Sequence, residues 1–337
     1  MTKCLTKPAP SLATAAAVLA FLHAAPAMAA TSTQTYVSNT GSDLNDCSTV
    51  ANACATFQRA HDQTTAGGEI TVVNTGNYGG TALPPRLNVT KSVNITNDGA
   101  GEASILVGAA GAGIFIEGSA GDVVSLRGLV VDGQGLGEVG IVIATASAVH
   151  IQNCVIRNVE ASPIANGIAF FPQFGNSQLF VSDSMIFNNG SAAMTSGIVV
   201  EPAFTSSANV VLDRVHLENN VIGLLVDGSR GTGNGAHVVI RDSVVSGNAS
   251  DGIRAFTTAA NAPAFLVVER TSVVNNAGTG LAANGPRATI ILNDDTISRN
   301  GAGINATNSG QIVSFGNNKN FNNVGPEGTP TGFFSQM

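Results

Sequence analysis

Asn-Asn-Val-Ile-Gly-Leu-Leu-Val, at residues 219–226, is one copy of a pattern that recurs over most of the chain. In the most regular copies, an Asn at a turn is followed within four residues by Gly and then Ile or Leu. Successive Gly-Ile or Gly-Leu pairs lie about 23 to 30 residues apart, a period typical of a solenoid in which each repeat forms one coil. The pairs begin at Gly113, Gly140, Gly167, Gly197, Gly223, Gly252, Gly280 and Gly303.

Each repeat divides into three short strands, which in this copy are 210–213, 216–219 and 223–226. Alternation along the strands places five apolar side chains inside the coil, and neighbouring copies repeat them. These are Val210, Leu212, Leu217, Leu224 and Val226. The high Gly content, the absence of Trp and the low charge (11%) agree with short buried strands joined by tight turns.

A different kind of segment precedes the repeats. Tyr36-Val37-Ser38 reads as a strand, Thr56 can cap a short helix, Gly67-Gly68 ends that helix, and residues 69–73 return as a strand. Since a solenoid otherwise exposes its first coil, residues 30–68 are predicted to form an N-terminal cap.

These residues carry a family resemblance. Tyr-Val-Ser, Gly-x-Asp, Ala-Thr-Phe-Gln-x-Ala, Gly-Gly-Glu-Ile-x-Val and Gly-Asn-Tyr-Gly, within residues 35–80, resemble the entry segment of β-helix proteins in the pectate-lyase-like superfamily. The resemblance implies an all-β fold, a single-stranded right-handed parallel β-helix with three strands per coil, over residues 69–324. Residues 325–337 are predicted to be a C-terminal tail.

Catalytic residues cannot be assigned to this chain from any enzyme family of that superfamily, because the motifs that carry them are missing. The Gly-His-Gly and Arg-x-Lys motifs of polygalacturonase-like enzymes and the Asp-Pro-His motif of mannuronan epimerases do not occur. The pectate-lyase motif Trp-x-Asp-His is excluded because the chain has no Trp.

Residues 1–29 have the pattern of a signal peptide. Lys3 and Lys7 precede an apolar run at 12–22, and Ala27-Met28-Ala29 matches a cleavage site. An uncleaved anchor is the alternative, but the run is short for a membrane span. We therefore expect an exported protein, periplasmic, cell-surface or extracellular, with no membrane span after cleavage.

Export favours a disulfide between Cys47 and Cys54, which have six residues between them, while Cys154 is expected to stay reduced inside the repeat. The formal net charge of −7 argues against nucleic acid as a partner, because neutralising phosphates requires a basic face.

The asparagines that precede the third strands are predicted to be structural. Asn tolerates the left-handed backbone of a tight corner, and stacked copies can hydrogen-bond along the axis. The predicted column is Asn158, Asn188, Asn219, Asn248, Asn276 and Asn300.

Charged residues at the ends of the first strands fall into two columns that alternate in sign. One reads Asp183, Arg214, Asp242, Arg270 and Asp294, and its neighbour reads Asp213, Arg241 and Glu269. Because parallel strands stack about 4.8 Å apart, we expect a checkerboard of ion pairs along one edge of the solenoid.

This charged edge also supplies the candidate catalytic residues. A lyase or epimerase would need carboxylates and a base, and the candidates are Asp183, Asp213, Arg241, Asp242, His216 and His237. Asn293, Asp294 and Asp295 form the best local oxygen cluster for Ca²⁺. The alternative pairs Asp294 with Arg270 and leaves Asp295 solvated. No other cofactor is expected.

The first strands are apolar on their outward face as well. The outward column reads His150, Phe180, Val211, Val239, Val267 and Ile291. Either the long loops at 171–178, 201–208, 227–237 and 256–264 cover this stripe, or a partner does. The candidate ligand or partner surface is Phe171, Phe174, Phe180, Phe204, Val211 and Val239.

Three functions fit this sequence. The first is a non-catalytic protein that binds polysaccharide or another cell-surface component. The second is a carbohydrate-active enzyme, a lyase or epimerase, acting at the charged edge. The third is a homo-oligomeric adhesin-like protein that associates through the apolar stripe.

Overall fold

Each repeat of the sequence forms one coil of three β-strands in the computed structural model, which describes residues 32–80, 86–108, 111–161 and 163–335. The predicted signal peptide at 1–29 lies outside these residues. The described strands form three parallel sheets, one for each strand position of the coil.

The first sheet contains β1 (Ser32–Val37), β2 (Thr64–Val72), β5 (Val93–Thr96), β8 (Val123–Arg127), β11 (Ala148–Gln152), β14 (Asn176–Ser182), β17 (Ser207–Asp213), β20 (Gly235–Arg241), β23 (Ala264–Glu269), β26 (Ala288–Asn293), β29 (Gln311–Ser314) and β31 (Gly332–Phe333). The second contains β3 (Gly76–Asn77), β6 (Ala103–Leu106), β9 (Leu129–Asp132), β12 (Val155–Arg157), β15 (Met185–Phe187), β18 (His216–Glu218), β21 (Val244–Ser246), β24 (Ser272–Val274), β27 (Thr296–Ser298) and β30 (Lys319–Phe321). The third contains β4 (Leu87–Val89), β7 (Ala112–Glu117), β10 (Val139–Thr145), β13 (Asn166–Phe170), β16 (Ser196–Val200), β19 (Ile222–Asp227), β22 (Ile253–Phe256), β25 (Thr279–Asn284) and β28 (Ala302–Thr307).

The core runs along the axis of this stack. Val210, Leu212, Leu217, Leu224 and Val226 are buried, and each pairs with an apolar residue of the neighbouring coils. Val and Ile suit this arrangement because branched side chains pack well on a pleated surface. The fold is therefore the predicted right-handed parallel β-helix with three strands per coil.

The N-terminal cap contains the predicted short helix. Its helix α1 (Phe57–Gln63) begins after Thr56, whose Oγ1 accepts the backbone N–H of Arg59 at 3.1 Å. The helix ends before Gly67-Gly68, contrary to the prediction, and β2 already starts at Thr64. The extra residues form a bulge against β1, and Gly67 at φ +78° permits it.

The predicted disulfide joins Cys47 to Cys54 inside this cap, beside the 3₁₀ helix Val50–Asn52. Cys154 is a free, buried thiol, as predicted. Burial raises its pKa to about 11, so it remains protonated and inert as a nucleophile.

The repeated asparagines occupy two adjacent columns, not the single column predicted. Asn158, Asn188 and Asn219 do have a left-handed backbone, with φ of 57°, 54° and 53°. In the next coil this conformation belongs to Gly247, so Asn248 lies one position later.

The second column is a buried ladder of amide groups. Each side-chain oxygen accepts the backbone N–H of the preceding member, at 2.9 to 3.1 Å. One residue thus adopts the left-handed backbone of the corner, and the residue after it forms the hydrogen bonds along the axis. The buried members of the ladder are Asn189, Asn220, Asn248, Asn276 and Asn300, and Asn323 continues it by accepting the backbone N–H of Asn300 at 2.9 Å.

The glycines of the repeat form a column in which backbones approach closely. A Cβ added at Gly223 would lie 2.6 Å from the carbonyl oxygen of Gly252 and 2.6 Å from Cγ1 of Val245. The glycines at 140, 167, 197, 252 and 280 meet the next glycine's carbonyl in the same way. The Gly-Ile step is therefore required by stacking of the coils.

Gly223→Ala is expected to lower the free energy of unfolding by about 1–3 kcal/mol, because the methyl group overpacks a backbone that cannot move independently of its neighbours. Guanidinium chloride unfolding followed by circular dichroism measures this. The matched control is Gly121→Ala, where an added Cβ meets no atom within 4 Å. Equal midpoints for the two variants would contradict the argument.

Candidate functional site

The charged edge predicted from the sequence exists as a column of corner residues. Asp183, Arg214, Asp242, Arg270 and Asp294 all have a left-handed backbone, with φ between 47° and 59°. The neighbouring column is also in register, since Asp213 pairs with Arg241 and Arg241 with Glu269.

These charges neutralise one another. Nε and Nη2 of Arg214 donate to the two oxygens of Asp183 at 2.7 and 3.1 Å, and Arg270 binds Asp242 in the same way at 2.8 and 2.9 Å. Hydrogen bonds from these guanidinium groups lower the pKa of Asp183 and of Asp242. Asp213 contacts both Arg214 and Arg241. Each candidate catalytic acid at this edge is thus already paired with an arginine.

The two candidate histidines are not brought together. His216 lies on the second sheet, where Nδ1 is 2.8 Å from Glu218. His237 lies on the first sheet, with its ring 5.8 Å from that of Phe265. The two side chains are not neighbours, because their strands belong to different sheets.

Oxygens of the predicted cluster at residues 293–295 are engaged in hydrogen bonds with the backbone and a neighbouring amide. Asp295 is buried, not solvated, and its two oxygens accept the backbone N–H groups of Thr271 (2.9 Å) and Asn293 (3.0 Å). Arg270 binds Asp242 and Glu269, and Asp294 has no ion pair among the described residues. Across the described part of the chain, no three His, Cys, Asp or Glu side chains are grouped to hold a metal.

Asp295 occupies a structural position that other coils fill with a hydroxyl. One residue after the corner, Ser243 accepts the backbone N–H of Val215 at 3.1 Å, as Asp295 does for Thr271. Burial raises the pKa of Asp295 to about 8, and the nearby Asp294 and Glu269 carboxylates add to the rise.

The predicted apolar stripe is present in the expected register. His150 pairs with Phe180, and the column continues through Val211, Val239, Val267 and Ile291. The rings of His150 and Phe180 stack with centroids 4.7 Å apart. Apart from exposed His150, these side chains are half-buried, and a shallow hollow of about 310 Å³ opens over Phe180, Val211 and Val239.

The loop phenylalanines lie elsewhere. Phe174 is exposed beside Thr145 in a separate hollow, whereas Phe171 and Phe204 line a groove on the outer face of the third sheet. The candidate ligand surface from the sequence is therefore divided among three places.

The groove on the third sheet was missed by sequence reasoning, and it has the richest chemistry. Immediately after the inward third-strand pairs, consecutive coils place Phe171, Glu201, Asp227 and Phe256 in one outward column. Two acidic residues therefore lie between two aromatic residues in this column. We call these four residues the acid–aromatic column.

Arg230 binds the first half of the acid–aromatic column. Its Nε lies 2.7 Å from Oε1 of Glu201, and its guanidinium carbon is 6.0 Å from the centre of the Phe171 ring. Burial raises the pKa of Glu201 to about 7; Arg230 opposes the rise and Asp227 adds to it.

Asp227 is 7% exposed, and its Oδ1 accepts the backbone N–H of Ser229 at 2.7 Å. It makes no ion pair within the described part of the chain. The column thus holds one buried and one partly buried carboxylate, and one matching cation.

The floor and opposite wall of the groove are apolar. Val139, Val199 and Leu225 belong to an outward-facing cluster on the third sheet, and Pro163, Ile164 and Met194 rise from the loops that precede its strands. The two adjoining parts of the groove have volumes of about 300 and 410 Å³. The residues span four consecutive strands, about 14 Å along the axis.

A sequence signal for this groove existed. Glu201 and Asp227 follow the Gly-Ile or Gly-Leu pair of consecutive copies at the same distance. An alignment of the copies on these pairs places the two acids in one column.

A family model described as a right-handed β-helix region matches residues 89–320, more than two thirds of the chain. The chain belongs to this family. No curated protein sequence matches significantly.

Solved structures share the β-helix fold at low identity. A crystal structure of pectate lyase Pel9A is 15% identical with a TM-score of 0.53, and the match covers 88% of this chain and 80% of that one. Two further structures have lower TM-scores. Geobacillus virus E2 ORF18 is 13% identical with a TM-score of 0.41, and the match covers 83% of this chain and 57% of that chain. Alginate lyase from Paenibacillus sp. str. FPU-7 is 14% identical with a TM-score of 0.39, covering 84% and 97%.

Within the described residues of the β-helix, no helix is long and apolar enough to cross a membrane.

Stability of the β-helix should fall as the pH rises from about 4 to about 8, because folded Asp295 holds its proton over this range while the unfolded carboxyl releases it. Asp295→Asn should remove this component and raise the melting temperature relative to wild type at pH 9 more than at pH 4. Differential scanning calorimetry across pH measures it. Asp294→Asn, on the exposed neighbour, is the control; an identical effect would refute the assignment.

Proposed function

We propose that the protein is exported and binds an extended polysaccharide, without cleaving it, in the groove on the third sheet. The observation that carries this proposal is the groove itself: an apolar floor along four coils, aromatic side chains, and polar groups at one wall. Ligand sites commonly combine an apolar lining with a few fixed polar groups.

Aromatic rings supply the stacking surface. Phe171 borders both parts of the groove, and Phe204 is 63% exposed at its mouth. A sugar ring presents an apolar face that can pack on such rings, while its hydroxyls reach Glu201 and Arg230 at the same wall.

The remaining features agree with an exported carbohydrate-binding protein. The signal-peptide pattern of residues 1–29 and the Cys47–Cys54 disulfide both suit an oxidising compartment. Pectate lyase Pel9A, which shares the fold, is named for a reaction on a polysaccharide. Here the ligand class is inferred from the groove.

A carbohydrate-active enzyme is the second candidate, and one observation favours it. Glu201 has a pKa of about 7 and lies beside Asp227 in the groove, as a general acid with a neighbouring carboxylate would. Any such activity would then reside in the groove and not at the paired charges of the first sheet.

Phe171→Ala and Phe204→Ala should each weaken polysaccharide binding about tenfold, because each removes roughly 1–2 kcal/mol of stacking and apolar contact. Affinity electrophoresis against a panel of polysaccharides measures binding. Phe174→Ala is the control, since Phe174 is 69% exposed but lies outside the groove.

The same panel separates binding from catalysis. The proposal expects no reducing ends and no unsaturated sugar products after prolonged incubation. Reaction products that disappear in Glu201→Gln would establish the second candidate. Equal losses of polysaccharide affinity in all three Phe variants would refute the groove as the binding site.

Self-association through the apolar stripe is a third candidate, favoured by its partly exposed valines. On this hypothesis wild-type protein is a dimer at high concentration by multi-angle light scattering, and Val211→Asp is a monomer because it places a charge in the interface. Val123→Asp, an exposed apolar position on β8 outside the stripe, should stay dimeric. Monomeric wild-type protein would exclude the hypothesis.

A further inference from the structure

The cations near the groove are already committed to carboxylates of the protein. Arg230 binds Glu201 at 2.7 Å. In the next coil, Arg254 binds Asp251 at 2.7 Å. Asp227 remains without an ion pair among the described residues, so carboxylates outnumber cations along this wall.

The acid–aromatic column departs from the charge pattern of the rest of the β-helix. On the first sheet, corner residues alternate in sign at each coil, and Asp183 and Asp242 each pair with the guanidinium of the next coil. In the groove, Glu201 and Asp227 are like charges on adjacent coils, an arrangement that costs free energy in a partly buried position.

This arrangement discriminates between sugars by charge. A uronate carboxylate in the groove would lie against two carboxylates, while Arg230 is already bound to Glu201 and Arg254 to Asp251, and partial burial would strengthen the repulsion. A neutral sugar presents hydroxyl groups, which can donate to carboxylate oxygens in charge-assisted hydrogen bonds.

We propose that the groove is selective for uncharged polysaccharides and that Glu201 and Asp227 exclude polyuronates. This inference rests on the proposed function. It concerns the class of ligand and holds whether the groove only binds or also cleaves.

The discrimination should depend on pH. The charged groups facing Glu201 are Arg230 and Asp227, and the Phe171 side of Glu201 carries no titratable group. As the pH rises through about 7, Glu201 loses its proton and the wall gains a negative charge. Exclusion of polyuronates should therefore strengthen from pH 6 to pH 8, a range that extends about one pH unit on either side of the Glu201 pKa.

The test measures affinities by isothermal titration calorimetry for neutral oligosaccharides from β-glucan, xylan and mannan, and for oligogalacturonate and oligomannuronate. Wild type should bind its best neutral ligand at least about tenfold more tightly than any uronate. In the double variant Glu201→Gln, Asp227→Asn, the ratio of neutral to uronate affinity should fall about tenfold.

The matched control is Asp183→Asn, Asp242→Asn, which removes the same charge at the first-sheet edge. In this control, the ratio of neutral to uronate affinity should change less than about twofold, because exposed charges outside the groove are screened by salt. Circular dichroism and melting temperatures establish that the variants fold. If the double variant does not fold, the single variant Glu201→Gln and the wild-type pH series provide the same test.

Tight uronate binding by wild type would overturn the selectivity and leave polysaccharide binding intact. An equal change in the control variant would attribute selectivity to total charge and also overturn it. Absence of binding to every oligosaccharide would refute the proposed function itself.

Discussion

The stacking of parallel strands about 4.8 Å apart is the constraint on which this molecule depends, because it makes each residue a neighbour of its equivalents in the adjacent coils. A side chain is therefore selected for the column it joins. Glycine recurs near the start of the third strand since an added Cβ would meet the next coil's carbonyl. Asparagine persists one step after the corner since its amide satisfies a buried N–H of the preceding coil. Each coil thus completes its neighbour.

The same constraint governs charge. Stacked like charges repel, so the first-sheet corners alternate Asp and Arg, and the resulting pairs lie at the surface where each contributes little to stability. Alternation mainly removes a penalty. A column in which like charges are stacked keeps their repulsion. Glu201 and Asp227 lie in such a column. Arg230 relieves part of it by reaching back from the following loop. Burial is the main cause of the raised pKa of Glu201, and the repulsion from Asp227 adds to it.

Much of the fold could be predicted from the sequence because columns leave a period in it. The three-strand coil, the cap helix after Thr56, the disulfide and the stripe through Val211 all follow from spacing, capping chemistry or alternation. Spacing failed where neighbours share a residue type: Asn188-Asn189 and Asn219-Asn220 hid which Asn turns and which bonds. It also failed at Asp295, because a carboxylate in a serine's place is visible only once burial is known. The groove depends on loop residues such as Met194 and Arg230, whose positions no period encodes.

Function in a repeat scaffold is best sought where a column breaks its own rule. Most positions of this β-helix can be explained by their equivalents one coil away, which leaves them little freedom for chemistry. Asp295 breaks its column but satisfies two backbone N–H groups, so its exception is structural. Glu201 over Asp227 satisfies no comparable backbone need, since Asp227 accepts from Ser229 alone among the described contacts and Glu201 bonds to an exposed Arg. We therefore propose that this partly buried like-charge pair, beside aromatic rings at the wall of a groove, serves to admit some ligands and repel others.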